Sequence, residues 1–451
     1  MPTVARNDFP DDPPSGIATE ASRESLRMLM ARLYPICRSI TGNGVRETLK
    51  ILRNRIPLTV HEIPTGTAVF DWVIPKEWNI EKAFIRDPDG KKIVDFTNSN
   101  LHVVSYSIPF YGKLPLVQLK EHLFSIPEHP DWIPYRTSYY RENWGFCLPH
   151  RQLQAMPDGE YEVHISSSLR DGSLSYGEYC LQGESEEEIL LSCHICHPSL
   201  CNDNLSGIAL MIALYSHLSK QRTRYSYRFL FIPGTIGSIA WLALNESRVS
   251  LIRHGLVIAG TGDKGPFTYK KSRRGDAEID RAFSYLLSHS CDGSKVMEFQ
   301  PYGYDERQFC SPGFDLPVGC VMRTPFGQYP EYHTSADNLE FVSLDALTDS
   351  IAKCMAGLQI LESNGRYLNK NPKCEPQLGK RGLYSIVGGQ SHSKAREMAV
   401  LWVLNMSDGA HSLLDIADRS GCAYDLIEQA ANDLIDHRLL TRLPDGTVQL
   451  G

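Results

Sequence analysis

Cys193-His194-Ile195-Cys196-His197-Pro198-Ser199-Leu200-Cys201-Asn202-Asp203-Asn204-Leu205-Ser206-Gly207 is the stretch on which the fold turns. It follows the apolar run Ile189-Leu190-Leu191 and opens a helical pattern that continues to Leu218, so two histidines and an aspartate lie between a strand end and a helix start. Outward from it, the spacing predicts strands near 227–232, 255–259 and 317–322, alternating with helices near 236–245, 277–288 and 343–361. Runs such as Phe229-Leu230-Phe231-Ile232 have no polar side, as a sheet covered on both faces requires. The pattern predicts a doubly wound α/β domain, built from residues 19–65 and 156–366.

Between those pieces, residues 66–155 change texture. Eight prolines, many aromatics and turn signals such as Pro88-Asp89-Gly90 predict an inserted, mostly β module. Residues 367–392 read as a linker rich in proline and glycine. Residues 393–451 show three helical patterns, then Pro444-Asp445-Gly446 between two short strand patterns, the layout of a winged helix. Residues 1–18, with four prolines and three aspartates, are expected to be a disordered arm.

Length and composition agree with several domains: 451 residues at about 100–200 per domain, with 42% hydrophobic and 22% charged residues. The net charge of −7 excludes a broadly basic surface for nucleic acid. No apolar run is long enough for a membrane span, and the N-terminal segment lacks the apolar stretch of an export signal, so a cytoplasmic location is expected. Twelve cysteines scattered over such a chain read as free thiols packed as small hydrophobes, with Cys193, Cys196 and Cys201 the only ones clustered among histidines.

In open α/β sheets the carboxyl ends of strands collect functional groups. Three polar segments fall there: the 193–204 loop, Pro233-Gly234-Thr235-Ile236-Gly237, and Glu331-Tyr332-His333-Thr334-Ser335-Ala336-Asp337. Two imidazoles and a carboxylate from separate loops are the donor set zinc prefers when a position is left for water. An Asp-Asn pair at a helix start also reads as an N-cap, and the Cys/His cluster as a structural knuckle, although no second Cys-x-x-Cys stands at ribbon spacing.

The segment Asn202-Asp203-Asn204-Leu205-Ser206-Gly207 and the 332–337 loop resemble the signature loops of dizinc aminopeptidases and glutamate carboxypeptidases. With Arg38-Ser39-Ile40-Thr41-Gly42-Asn43-Gly44, Cys196-His197-Pro198-Ser199 and Tyr304-Asp305-Glu306-Arg307-Gln308-Phe309, nearly all of residues 20–451 resembles a prokaryotic aminopeptidase-like family. That resemblance implies a phosphorylase/hydrolase-like α/β domain carrying an inserted module and a C-terminal winged helix. It implies Asp203 in the place of the metal-bridging aspartate and His333 in that of the late histidine ligand. The early histidine is His194 by its step of nine residues to Asp203, or His197 by the Cys-His-Pro match.

The chain also departs from the dizinc pattern. Gly234 and Thr235 stand where two glutamates are expected, and Ala259 where another ligand aspartate is expected, with Asp263 four residues on. Two adjacent ions need more anionic ligands than this, so one zinc is the expectation. Glu331, Glu306 and Asp305 are candidates for the catalytic base, each equally able to orient a ligand ring. Arg273 and Arg274 in Lys270-Lys271-Ser272-Arg273-Arg274 are candidates to hold an anionic group of a substrate.

The activity implied is hydrolysis of an amide bond in a small peptide or aminoacyl conjugate; the rival is a catalytically degenerate metal-binding scaffold or interaction protein. From Arg396 onward four basic residues face nine acidic ones, a net of −5, which disfavours a DNA-binding regulator. Homo-oligomerisation through the inserted module or the winged helix is the expected alternative use of those parts.

Overall fold

The computed structural model describes residues 19–383 and 391–444. They divide into two compact units, one of residues 19–280 and Asp292–Lys353, the other of Arg281–Cys291 and residues 354 onward. The expected arm at 1–18 and the second strand of the expected terminal hairpin at 447–450 lie outside the described residues.

The larger unit is built on an eight-stranded sheet in the order Thr59–Pro64, Ser173–Leu181, Ser226–Ile232, Glu188–His194, Ile252–Ile258, Val318–Met322, Thr268–Lys270 and Lys295–Met297. The four middle strands run parallel, and every residue of Ser226–Ile232 and Glu188–His194 is buried. Both flanks join antiparallel, through Ser173–Leu181 on one side and Thr268–Lys270 on the other. These flanking strands carry no continuous apolar run: Ser173–Leu181 reads SLSYGEYCL, with serine, glycine and glutamate spread through it. Helix Gly207–Leu218 has nine buried residues among twelve, apolar nearly all round as a helix packed inside a domain must be. It begins later than its pattern suggests because Cys201–Ser206 forms a wide irregular turn in which Asp203 and Asn204 leave helical geometry.

The inserted β module is a four-stranded antiparallel sheet ordered Lys92–Asp95, Glu77–Arg86, Glu160–Arg170, Phe110–Pro115. Its longest strand, Glu160–Arg170, lies past residue 155 in the chain. Tyr161, Val163 and Ile165 alternate inward there and pack with Trp144, Phe146 and Leu119. The Pro88-Asp89-Gly90 signal is a real turn: Gly90 has φ +84, and Asp87 Oδ1 accepts the amides of Asp89 and Lys91.

The smaller unit holds helices Ser391–Met406, Leu413–Ser420 and Tyr424–Asp436 with a three-stranded antiparallel sheet. The central strand of that sheet is Arg366–Asn369, where the sequence suggests the start of a linker, and Leu440–Arg442 pairs with it. Helix Leu413–Ser420 is bounded by a Ser412/Asp415 capping box and by Gly421 in the left-handed region, so both ends are satisfied locally.

Candidate metal centre

Glu188–His194 is a middle strand, and His194 is its last residue, at the carboxyl edge of the sheet. The turn carrying Asp203 is held there by a frame of buried polar side chains. Asp337 accepts the main-chain amides of Cys201, Asn202 and Asp203 at 3.1, 2.5 and 2.9 Å. Asn204 donates to the carbonyl of Ile258 at 2.9 Å and accepts from the amides of Gly207 and Gly260. Asn202 accepts from the amides of Gly262 and Asp263 and donates to the Asp263 carboxylate at 3.1 Å. Asp263 is thereby occupied in bracing the turn, together with Thr324.

Three imidazoles meet the Asp203 carboxylate. His194 Nε2 is 2.7 Å from Oδ1, His333 Nε2 is 3.0 Å from Oδ2, and His197 Nε2 is 4.0 Å from Oδ2. His194, His197 and Asp203 bring their donor atoms within 4.8 Å of one another, close enough to share one ion. Both early histidines therefore reach the aspartate. Oδ2 of Asp203 and Nε2 of His333 are buried and face each other, and among the described residues neither has a further hydrogen-bond partner. A carboxylate oxygen and the lone pair of a neutral imidazole nitrogen facing each other are what a cation between them would satisfy, and three imidazoles with one carboxylate suit a borderline ion such as zinc. The residues fit the group that the fold implies.

The electrostatics agree. Burial pushes the Asp203 carboxyl up, but His197, His194 and His333 outweigh it and hold it well below the usual carboxylate range. Burial, resisted by the Asp203 charge, drives the His197 imidazole down to about 3. Burial pushes the Cys196 thiol up to about 12; it is a thiol, and it accepts the amide of Gly234. Arg38, 1% exposed, donates to the carbonyl of His197 at 2.9 Å. Two residues on, Ile40 reaches the site, and Gly42 at φ +97 leaves only 2.1 Å between a would-be Cβ and the carbonyl of Trp78. The Arg38–Gly44 motif is thus scaffolding for the His197 loop.

A cavity of about 250 Å³ opens beside the centre, lined by His194, His197 and His333. Tyr135, Thr137 and Tyr139 of the inserted segment wall it on another side, and Tyr304 and Tyr332 add further rings. The insertion is fastened to the His333 loop: Tyr135 donates its amide to the His333 carbonyl, Ser335 donates its amide to that of Ile133, and Ile133 donates to Ser335 Oγ. Tyr304 stacks on His194 and Tyr332 on His333.

Of the three proposed bases only Asp305 lines this cavity. Its Oδ1 accepts from the amide of Thr235 at 2.6 Å and from Ser238 Oγ at 3.1 Å, so a carboxylate arrives from another loop where the chain lacks the expected glutamates. Burial raises its pKa. Glu306 turns away into a buried ion pair with Lys270 at 2.8 Å. The side chain of Glu331 is not part of the lining; its carbonyl instead accepts from Thr334. Arg273 and Arg274 both pair with Asp315, at 2.7 and 3.4 Å, away from the cavity. Gly234 lies against His194 and Cys196, and Ala259 is wholly buried with no donor to offer. Sequence reasoning missed the roles of Asp337, Asn202 and the tyrosine walls; Asp337 was visible only as the end of the His333 motif.

Residues 27–364 match a family described as a domain of unknown function (DUF4910), and residues 365–442 match a winged helix-turn-helix. A Clostridium acetobutylicum protein, named provisionally as a polysaccharide biosynthesis protein with aminopeptidase-like domain, is 53% identical over 412 residues, covering 91% of this chain and 95% of that one. A crystal structure from Clostridium acetobutylicum, provisionally named a peptidase, matches with a TM-score of 0.89 at 50% identity, over 94% of this chain and 97% of its own. A zinc aminopeptidase from Bacillus subtilis matches with a TM-score of 0.56 at 11% identity, over 75% and 95% of the two chains, a likeness of fold alone.

Proposed function

Since the chain belongs to the family of that domain, DUF4910, followed by a winged helix-turn-helix, we propose that its aminopeptidase-like domain is a one-metal site on a peptidase scaffold that has left two-metal catalysis. His194, His197, Asp203 and His333 would hold the ion, zinc by the donor set. The observation that carries this reading is the convergence of His194, His197 and His333 on the buried Asp203 carboxylate, with Oδ2 3.0 Å from His333 Nε2 and no further hydrogen-bond partner for either atom among the described residues. If all four residues ligate, the site is closed, as structural zinc sites are; three would leave a position for water or a ligand. The missing carboxylates at Gly234, Thr235 and Ala259 and the provisional naming of a 53% identical relative for polysaccharide biosynthesis favour a binding or assembly role over peptide turnover.

A second reading, zinc-dependent hydrolysis of an amide in a small peptide or aminoacyl conjugate, draws on one observation: Asp305 enters the cavity where a base would be needed. Bound zinc would supply water of lowered pKa there. In this reading Asp305 holds the proton, while Tyr135, Tyr139 and Tyr304 exclude bulk solvent. The acidic tail supports a protein partner, or a second copy of this chain, over nucleic acid.

Metal analysis should find about one zinc per chain. No bound metal, and no change on His333→Ala, would remove the reading. With zinc bound, hydrolysis of aminoacyl-nitroanilides that disappears in Asp305→Asn would move the balance to the hydrolase; inertness to the whole panel supports the scaffold.

A further inference from the structure

Six of the fourteen residues that line the cavity beside the metal centre carry neutral hydroxyl groups, four of them tyrosines, and from this we propose that it binds a neutral sugar ring. The proposal rests on the metal reading of His194, His197, Asp203 and His333, three of which share its wall, and adds the class of ligand.

Size sets the first limit. Pockets for drug-sized ligands run to about 300–1,000 Å³, and this one, at about 250 Å³, has room for a single ring. Charge sets the second. Among the described residues no lysine or arginine lines the cavity, so a carboxylate or phosphate would have the metal alone to neutralise it. The single carboxylate that does line it, Asp305, already accepts two hydrogen bonds on Oδ1, from Thr235 and Ser238.

The remaining walls are specific. Tyr135, Tyr139, Tyr304 and Tyr332, with Thr137 and Thr235, ring the space with phenol and alcohol groups. A tyrosine offers an apolar face and a polar edge, the same combination as a sugar, whose ring C–H faces alternate with equatorial hydroxyls. These rings are held in place before any ligand arrives: Tyr304 stacks on His194 at 5.1 Å, Tyr332 on His333 at 4.0 Å, and the hydroxyls of Tyr135 and Tyr139 are 2.7 Å apart. Rigid, preplaced donors cost little to order on binding. Because the Tyr135 and Tyr139 hydroxyls already bond each other, a ligand hydroxyl extends that chain of hydrogen bonds at no cost in broken ones, whereas an apolar group gains nothing from it. The inserted module brings Tyr135, Thr137 and Tyr139 to a fold whose other walls are the metal ligands and the Tyr304 loop, so it supplies much of this selectivity.

The experiment is calorimetric titration of the full-length, zinc-loaded chain with N-acetylglucosamine, methyl glucoside and leucinamide, with zinc content measured on each sample. At least one of the two sugars should bind while leucinamide does not. Tyr139→Phe, which keeps the ring and removes one hydroxyl, should weaken sugar binding roughly five- to tenfold at unchanged zinc content. Leucinamide binding with both sugars silent, or no ligand binding to a protein that holds its zinc, overturns the sugar proposal and leaves the metal reading standing. Absence of zinc in every sample fails the metal reading separately.

Discussion

The main-chain amide of Tyr135, from the inserted module, donates to the carbonyl of His333 at 2.7 Å, so a segment outside the α/β core sets the backbone of a candidate metal ligand. His333 has φ +57, a region that non-glycine residues adopt at a cost of about 1–3 kcal/mol unless their surroundings hold them there. A second tie flanks the first, Ile133 donating to Ser335 Oγ at 2.9 Å. Ser335→Ala removes that acceptor and should lower stability by about 1 kcal/mol. Because the loss loosens the His333 loop, zinc affinity should fall several-fold in the same variant, read by competition with a chelating dye. Unchanged affinity would show that the insertion is not needed to position His333.

Asp337 gathers the amides of Cys201, Asn202 and Asp203 on one carboxylate. Asp337→Asn puts an NH2 group among these donors, of which the Cys201 amide alone also reaches the Asp337 carbonyl, at 3.0 Å, and hydrogen bonds to a charged group are worth about 1.5–3 kcal/mol each. The variant should lose about 2–3 kcal/mol in urea denaturation and bind zinc at least tenfold more weakly. Asp337→Glu keeps the charge, and it should recover part of the zinc affinity even if stability stays low. A variant that is destabilised but binds zinc as tightly as the parent would confine Asp337 to the fold.

Zinc held only by the folded chain must stabilise it. With free zinc at about one hundred times its dissociation constant the gain is about 2.7 kcal/mol, so chelation should lower Tm by several degrees and added zinc should restore it. His333→Ala should abolish this dependence. His194→Ala should abolish it too, and it should also leave Oδ1 of the fully buried Asp203 without the imidazole it meets at 2.7 Å. A Tm indifferent to zinc in the parent protein would exclude a folded-state site.

How much of this could be read from the chain alone depended on locality. His194, His197 and Asp203 sit within ten residues at one strand end, and the rule that parallel strands present their carboxyl ends made that loop stand out. The parallel middle of the sheet was legible for the same reason, as apolar runs. The antiparallel flank Ser173–Leu181 was not, because SLSYGEYCL has neither a continuous apolar run nor clean alternation. Nor was the meeting of Asp305 with the amide of Thr235, 70 residues away in sequence, or the bracing of Asn202 by Asp263, 61 away. These are contacts between loops, and no periodicity records them. The tyrosine walls were hidden differently: Tyr135 and Tyr139 looked like part of an aromatic-rich module, and only the pairing of 133–135 with the His333 loop turns them toward the cavity.

His254 provides a pH test away from the metal. It is 4% exposed in the middle strand Ile252–Ile258, edge-on to Tyr225, and among the described residues neither ring nitrogen has a hydrogen-bond partner. Burial, with Arg224 and Arg253 adding to it, pushes its pKa down to about 3. The folded chain therefore keeps this imidazole neutral where the unfolded chain, with an ordinary histidine near 6.5, takes up a proton. More protons bound in the unfolded state means that stability rises with pH. The contribution of His254 is complete above about 6.5 and is lost as the pH falls toward 3, by about 1.4 kcal/mol per unit. His254→Leu removes the titration and keeps an apolar group of similar bulk against Tyr225. Urea midpoints measured with chelator at pH 7, 6, 5 and 4 should fall less steeply for the variant, and the gap between the two curves should widen with acidity. Parallel curves would mean that the strand opens enough to protonate the ring, and that its burial is not what limits acid stability.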